Sequence, residues 1–168
     1  MHVFQPVTPR EIDQGPFIYD GSRMLITAGN DKTVNTATTT YGGYGYLWDK
    51  RVVYMFLRSK RYTRELVDES GEFSISFLNQ EEFRGALKYI AAVSGKDEDK
   101  IAGARLTVNY SDSIPFIDEA DNVITAKVLF KTECGKDGFA GDFPTGDFYK
   151  DNDYHIMYVG EIQKILIR

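Results

Sequence analysis

Val52-Val53-Tyr54-Met55-Phe56-Leu57 runs directly into Arg58-Ser59-Lys60-Arg61-Tyr62-Thr63, so a stretch of strand length and strand composition hands over to three cations and three hydroxyls. A strand ending in Arg58 and a helix beginning near Thr63 would aim cationic side chains, hydroxyls and the unpaired N–H groups of a first helical turn into one small volume. That chemistry suits a small dianion such as a phosphate monoester. Arg offers a planar fork for two phosphate oxygens, Ser and Thr add neutral donors, and each charge-assisted bond contributes roughly 1.5–3 kcal/mol when shielded from bulk water. The alternative for such a segment is a solvated strand end with scattered charges. The surrounding segments favour the anion site.

Downstream, Arg64-Glu65-Leu66-Val67-Asp68-Glu69-Ser70 fits one short helix with Thr63 as N-cap, Glu65 in the first turn and Gly71 as its stop. Phe73-Ser74-Ile75-Ser76-Phe77 alternates apolar and hydroxyl residues, the pattern of a half-buried strand. Asn79 with Glu82 three residues on opens a second helix, whose Phe83, Leu87 and Ile90 form a core stripe that ends at Ser94-Gly95. Asp97 to Ala102 suggest a further helical turn, and Leu106-Thr107-Val108, Val123 to Phe130 and Ile156 to Ile167 are strand candidates.

Upstream, residues 1–21 are rich in Pro, Asp and Gly and read as an irregular N-terminal arm, leaving 22–168 as one domain with no repeat or linker. Met24-Leu25-Ile26-Thr27-Ala28, closed by Gly29-Asn30-Asp31, forms a hairpin with the β-branched run from Thr33 to Thr40. Tyr41-Gly42-Gly43-Tyr44-Gly45-Tyr46 then reads as a glycine-rich loop that lets a ligand lie against main chain. Many strands with few short helices predict a mainly β, closed or partly closed antiparallel barrel, because an open sheet of this size would leave exposed edges.

The 168 residues, 42% hydrophobic and 14% aromatic, suffice for one domain with a packed core. A net charge of -5 argues against a general nucleic-acid or anionic-membrane binder, so the basic segment is a local exception. One cysteine, Cys134, excludes an internal disulfide and a multi-cysteine zinc site, and two histidines leave little for a metal centre. A reducing cytoplasm is the expected compartment, with neither an export signal nor a membrane span indicated. Cys134 fits a semi-buried strand-end thiol better than a nucleophile.

If the cationic segment holds a phosphate, the Thr-rich strand and Gly loop are candidates for the ligand's organic body, since hydroxyls and backbone N–H groups can serve ring nitrogens and carbonyls. An isoalloxazine needs such donors at its N5, O4 and O2 edges to tune its potential. An ordinary Thr-rich strand is the competing reading.

Asn35-Thr36-Ala37-Thr38 with Tyr41-Gly42-Gly43, then Leu47-Trp48-Asp49-Lys50, then the segment from Arg58 to Thr63, resembles the flavin reductase-like FMN-binding family of flavoredoxin type. Gly71-Glu72-Phe73-Ser74, Ser94-Gly95-Lys96-Asp97 with Asp99-Lys100, Pro115 to Ala120, and Tyr154-His155 through Ile162 agree in order, so the match runs from about residue 22 to 165. The resemblance implies an FMN-binding split β-barrel, Greek-key-like, with short peripheral helices and the cofactor near a homodimer interface. Carried over by position, Arg58, Ser59, Arg61, Tyr62 and Thr63 would serve the phosphate and ribityl chain, with Lys100 a weaker phosphate candidate. Asn35, Thr36, Ala37, Thr38 and Thr39 would line the flavin edge.

The family often has Met where Ala37 stands, Trp where Tyr41 stands, and Pro at the positions of Arg51 and Ser59. Ala37 is expected to widen the space beside the ring, and Ser59 to loosen the strand exit while adding a hydroxyl. His155 stands where related flavin reductases keep a histidine near the nicotinamide side, and it is the candidate catalytic residue; a structural hydrogen-bonder is its other role. Trp48 and the tyrosines are assigned to barrel and interface packing, and Gly160-Glu161 to a fixed strand or interface feature. The implied activity is electron transfer from NADH or NADPH through flavin to an unnamed second acceptor; the alternative is a flavoredoxin-like carrier with no nicotinamide site of its own.

Overall fold

The computed structural model describes residues 1–7, 22–30 and 32–168. The chain order is β1 (Gln5–Val7), β2 (Met24–Gly29), β3 (Val34–Thr39), β4 (Gly42–Leu47), β5 (Lys50–Arg58), α1 (Tyr62–Ser70), β6 (Glu72–Phe77), α2 (Arg84–Ala92), α3 (Lys100–Gly103), β7 (Val108–Ser111), β8 (Ile114–Ile117), β9 (Asn122–Glu133), α4 (Thr145–Phe148) and β10 (His155–Ile167). The stretch expected to be an irregular arm thus contains one strand, and 8–21 lie outside the described residues.

One antiparallel sheet of eight strands carries the fold, in the order β3-β2-β6-β9-β10-β5-β4, with β1 added to β10. The end strands β3 and β4 are not bonded to each other, so the barrel is split. The long β10 is shared: His155 to Glu161 pair with β5, and Ile165 to Ile167 pair with β1. β1 thereby covers edge groups that β5 leaves unpaired.

The alternation of β2 explains the two cores. Met24, Ile26 and Ala28 face the barrel interior with Val53, Met55, Phe73, Ile124 and Tyr158, whereas Leu25 faces outward to Leu87, Ile90, Ile101 and Phe116. The helices α2 and α3 with the β7–β8 hairpin therefore form a second apolar layer on one outer face.

Four local expectations need correction. β6 is not half-buried: Ser74 Oγ donates to the Pro115 carbonyl at 2.6 Å and Ser76 Oγ accepts from the Ile117 N–H at 3.1 Å, so the hydroxyl face lies under β8. The strand expected from Leu106 starts at Val108. The glycine-rich stretch is not a loop but strand β4, paired with β5 from Gly42↔Met55 to Leu47↔Lys50. The α1 N-cap is Arg61 and not Thr63, which lies inside the helix and is fully buried. The stop is as expected, with Gly71 at φ 69, a left-handed conformation that favours glycine.

Under the sheet, Asp68 of α1 accepts hydrogen bonds from Arg64, Lys131 and the buried Tyr158 hydroxyl. Burial opposes its ionisation, but these donors hold its carboxyl below the usual range, and the Tyr158 phenol is pushed well up, first by its own burial. Helix α1 is thus pinned to β9 and β10. Glu161 pairs with Lys50 at 2.8 Å across the β5–β10 ribbon, as a strand feature would. Trp48 sits at the exposed β4–β5 turn, edge-on to Phe130, and so is not packed inside the barrel.

Candidate functional site

Where β5 ends and α1 begins, a cleft of about 340 Å³ opens between Arg58, Lys60, Arg61, Tyr62 and Thr63 on one side and 92–95 with Lys100 on the other. The α2 helix ends at Ala92, and the following turn brings Ser94-Gly95 over β3. Asn35 joins the two walls: its Nδ2 donates to Thr63 Oγ1 at 2.9 Å, and a Cβ at Gly95 would overlap its carboxamide. Only glycine lets the turn come this close.

Lys100 is the deepest cation of the cleft, 2% exposed. Among the described residues its Nζ bonds only to the Ile90 and Val93 carbonyls, both at 3.3 Å. Burial first, and the Arg61 charge second, lower its pKa to about 8. A buried ammonium with long neutral contacts and a cationic neighbour is a site short of negative charge. Lys96 stands outside, paired with Glu65 at 2.7 Å and 5.5 Å from the Tyr62 ring centre.

The remaining side of the cleft is acidic. Arg58 lines it but is already engaged, donating to Asp151 at 3.3 Å, to the Asp153 carbonyl at 3.3 Å and to the Phe148 carbonyl at 2.8 Å. Ser59 Oγ donates to the Asp153 carboxylate at 2.6 Å and does not line the cleft. Both residues therefore hold the connection before β10 in place. Asp151 also lies 3.9 Å from Lys60. A dianion entering here competes with Asp151 for Arg58 and Lys60, so Asp151→Asn should tighten binding of inorganic phosphate by roughly twofold to fivefold, the scale of one exposed ion pair. Isothermal titration at low salt measures it; weaker binding in the variant would contradict the competition.

The five candidates on β3 separate by face. Asn35 reaches the cleft wall, whereas Thr36 is fully buried, its hydroxyl donating to the Ile26 carbonyl at 3.0 Å and accepting from Thr27 at 3.0 Å. Ala37 packs in the barrel core at 1% exposure, so its small side chain fills interior space and does not widen a surface beside the strand. Thr38 is half-buried, and Thr39 Oγ1 bonds to Tyr41 main chain. Because β3 is the end strand of the sheet, its outward N–H and C=O groups are the donors and acceptors it can offer, more than its hydroxyls. The threonine pattern was visible in sequence, but which atoms would serve a ligand was not.

At this same end of β5, His155 pairs in register with Arg58. Its ring is 9% exposed, Nδ1 lies 2.8 Å from the Tyr149 hydroxyl, and Tyr41 meets it edge-on at 5.4 Å. Burial first and Arg58 second push its pKa below the ordinary histidine value, with Asp153 opposing. Asp151, Asp153 and Tyr149 were missed by sequence reasoning; the acidic run from Asp147 to Asp153 next to a lone histidine was the available signal. Cys134 is half-buried at the end of β9, where its N–H donates to the His155 carbonyl at 2.8 Å, and burial raises its thiol pKa.

The family model for the flavin reductase-like domain matches residues 21–168. The chain belongs to that family. Among solved structures, the flavin reductase-like domain resembles flavoredoxin from Methanosarcina acetivorans at TM-score 0.67 and 20% identity, covering 96% of this chain and 76% of that one. It also resembles an FMN-binding domain of flavin reductase-like enzymes from Shewanella baltica OS155 at TM-score 0.68 and 15% identity, covering 99% and 79%. The flavin reductase PheA2 follows at TM-score 0.62 and 18% identity, covering 88% and 79%. At these identities the likeness establishes the split-barrel fold. No curated protein matches the chain. Among the described residues no helix is long and apolar enough to cross a membrane, and no cluster of histidine, cysteine and carboxylate side chains could hold a metal ion.

Proposed function

We propose that this flavin reductase-like domain binds FMN and passes electrons from NADH or NADPH to a second acceptor. The observation that carries the reading is Lys100, buried behind Arg61 at a strand-to-helix junction with no carboxylate among its partners in the described residues. A phosphate monoester would supply the missing charge. Arg61 and Lys100 would grip its oxygens, Lys60 would add charge at the mouth, and the first N–H groups of α1 would add neutral donors. Tyr62 and Thr63 would flank the ribityl chain, with Thr63 oriented by Asn35. The outer edge of β3, the end strand of the sheet, would serve the flavin rim through main-chain groups. Bound FMN would supply the hydride- and electron-accepting chemistry; the chain's own share is placement, charge balance and exclusion of water. Micromolar retention needs roughly -8 kcal/mol, which two charge-assisted contacts and a ring surface can reach after ordering costs.

Likeness to two flavoredoxins favours a second reading, a flavoredoxin-like carrier with bound FMN and no nicotinamide site. One experiment separates them. The purified protein is loaded with FMN, its visible spectrum recorded, and NADH and NADPH added in turn without a partner. A yellow protein that consumes a nicotinamide nucleotide supports the reductase; a yellow protein reduced only through another redox protein supports the carrier. A protein that never retains flavin overturns both.

A second copy of the chain would cover the apolar surface of Tyr46, Trp48, Leu129 and Phe130, which are 69%, 56%, 38% and 44% exposed on the β4–β5 turn and β9. Light scattering should therefore give the dimer mass at working concentration, and a monomer would contradict this. The single cysteine suits a reducing compartment such as the cytoplasm.

A further inference from the structure

The connection from 134 to 154, between β9 and β10, is held down by residues of the barrel, among them Arg58 and His155. Tyr149 is where both meet. Its ring lies 5.5 Å from the Arg58 guanidinium, 4.7 Å from the Tyr154 ring and 5.9 Å from Phe139, and it meets the His155 ring at 5.4 Å and 71°. Four neighbours leave this phenol little freedom, so its hydroxyl at 2.8 Å from Nδ1 is a placed group and not a chance contact.

Which atom carries the proton follows from what the hydroxyl can donate to. Among the described residues His155 Nδ1 is the one acceptor within hydrogen-bond distance of the Tyr149 hydroxyl, so its O–H is the group that points at Nδ1. An imidazole that accepts at Nδ1 carries its proton on Nε2 when neutral. Among the described residues nothing bonds Nε2, although the ring is 9% exposed. A buried ring nitrogen with an unspent N–H is waiting for an acceptor.

We propose that Tyr149 is a positioning residue that locks His155 as the Nε2–H tautomer, so that the imidazole presents a hydrogen-bond donor to a carbonyl oxygen of the bound redox partner. The choice of ligand rests on the function proposed above; the tautomer does not. A carboxamide or quinone-type oxygen fits this donor, whereas a group that must itself donate to the imidazole does not. The charged and titratable groups facing the pair are Arg58 from β5, Asp153 and Tyr149 from the connection, Tyr41 after β3 and Cys134 at the end of β9. Arg58 and burial favour the neutral ring and Asp153 opposes them, which keeps the tautomer question relevant near neutral pH.

The test is long-range ¹H–¹⁵N correlation on the full chain labelled at histidine, which has two histidines to assign. Expected is a pyrrole-type Nε2 and a pyridine-type Nδ1 for His155 in the wild type, and a mixture of tautomers in Tyr149→Phe. The phenol stabilises the neutral ring, so its removal should also move the His155 titration midpoint upward. In the same variant, nicotinamide oxidation should fall roughly fivefold to tenfold, the effect of one neutral hydrogen bond, while bound FMN is kept. A wild-type ring protonated at Nδ1 overturns the proposal without any variant, and so does an unchanged tautomer in a folded Tyr149→Phe. His155→Ala separates the two levels: if it leaves nicotinamide oxidation intact, the function assigned to the imidazole fails while the tautomer is still decided by the spectra.

Discussion

A chain carrying Lys100→Met and Arg61→Gln is expected to fold as the wild type does and to lose FMN on purification. Each replaced cation would give up a charge-assisted bond of roughly 1.5–3 kcal/mol, so the pair should weaken binding about 10²- to 10⁴-fold. Folding is spared for a physical reason. Lys100 has its pKa lowered from 10.5 to about 8, a difference worth about 3 kcal/mol against the charged buried form. Met keeps the stem's volume and removes that penalty, at the cost of two long contacts to carbonyls, so the melting temperature should be unchanged or raised. A double variant that stays yellow would remove the phosphate from this cleft.

The same lysine sets a pH window for binding. Because the folded value lies below the unfolded one, the unfolded chain holds more protons between about 8 and 10.5, and stability rises with pH across that interval. Ligand affinity runs the other way. A dianion prefers the protonated amine, so affinity is full below about 8 and declines as pH rises through that value, by up to roughly tenfold per unit. On the acid side it should fall again as the phosphate gains its second proton near pH ~6. Flavin fluorescence titrations across this range check it; a profile flat through pH 8 would sink the role of Lys100.

His155→Ala should lower hydride transfer from the nicotinamide nucleotide by about 10²-fold, the lower end of what a positioned acid, base or donor contributes, with FMN retained. Retention is expected because His155 does not line the anion cleft. The depressed pKa makes the wild-type ring neutral at pH 7, so the rate should stay level around neutrality and change only below the ordinary histidine range, where the imidazolium forms. Stopped-flow reduction of the loaded protein measures both. A rate within twofold of the wild type would leave the residue a structural role only.

Much of this arrangement was legible in residue order. The apolar run into Arg58 ends a strand because its side chains must alternate between two buried faces until the cations can no longer be accommodated, and Gly71 ends the helix because only glycine readily takes φ 69 there. The family blocks, read in order, carried the split barrel and the cleft-lining Arg61, Tyr62 and Thr63. Other features depend on partners far along the chain. Nothing local to Ser74 and Ser76 says that β8 covers them, and nothing local to Ser59 says that Asp153 takes its hydroxyl. Glycines at 42, 43 and 45 read as a loop on propensity, yet β5 offers them a full ladder and long-range pairing outweighs the local cost.

The sequence by itself determined the strand β5, the helices α1 and α2, the barrel class, the family and the cationic junction, because periodicity, capping and charge are properties of neighbouring residues. The tertiary structure alone decided that Lys100 is a buried cation beside Arg61, that Ala37 points into the core, and that Tyr149 meets His155. Burial and the pairing of distant polar atoms arise only when the sheet closes around them, and it is burial that turns an ordinary lysine and an ordinary histidine into groups with altered proton affinity.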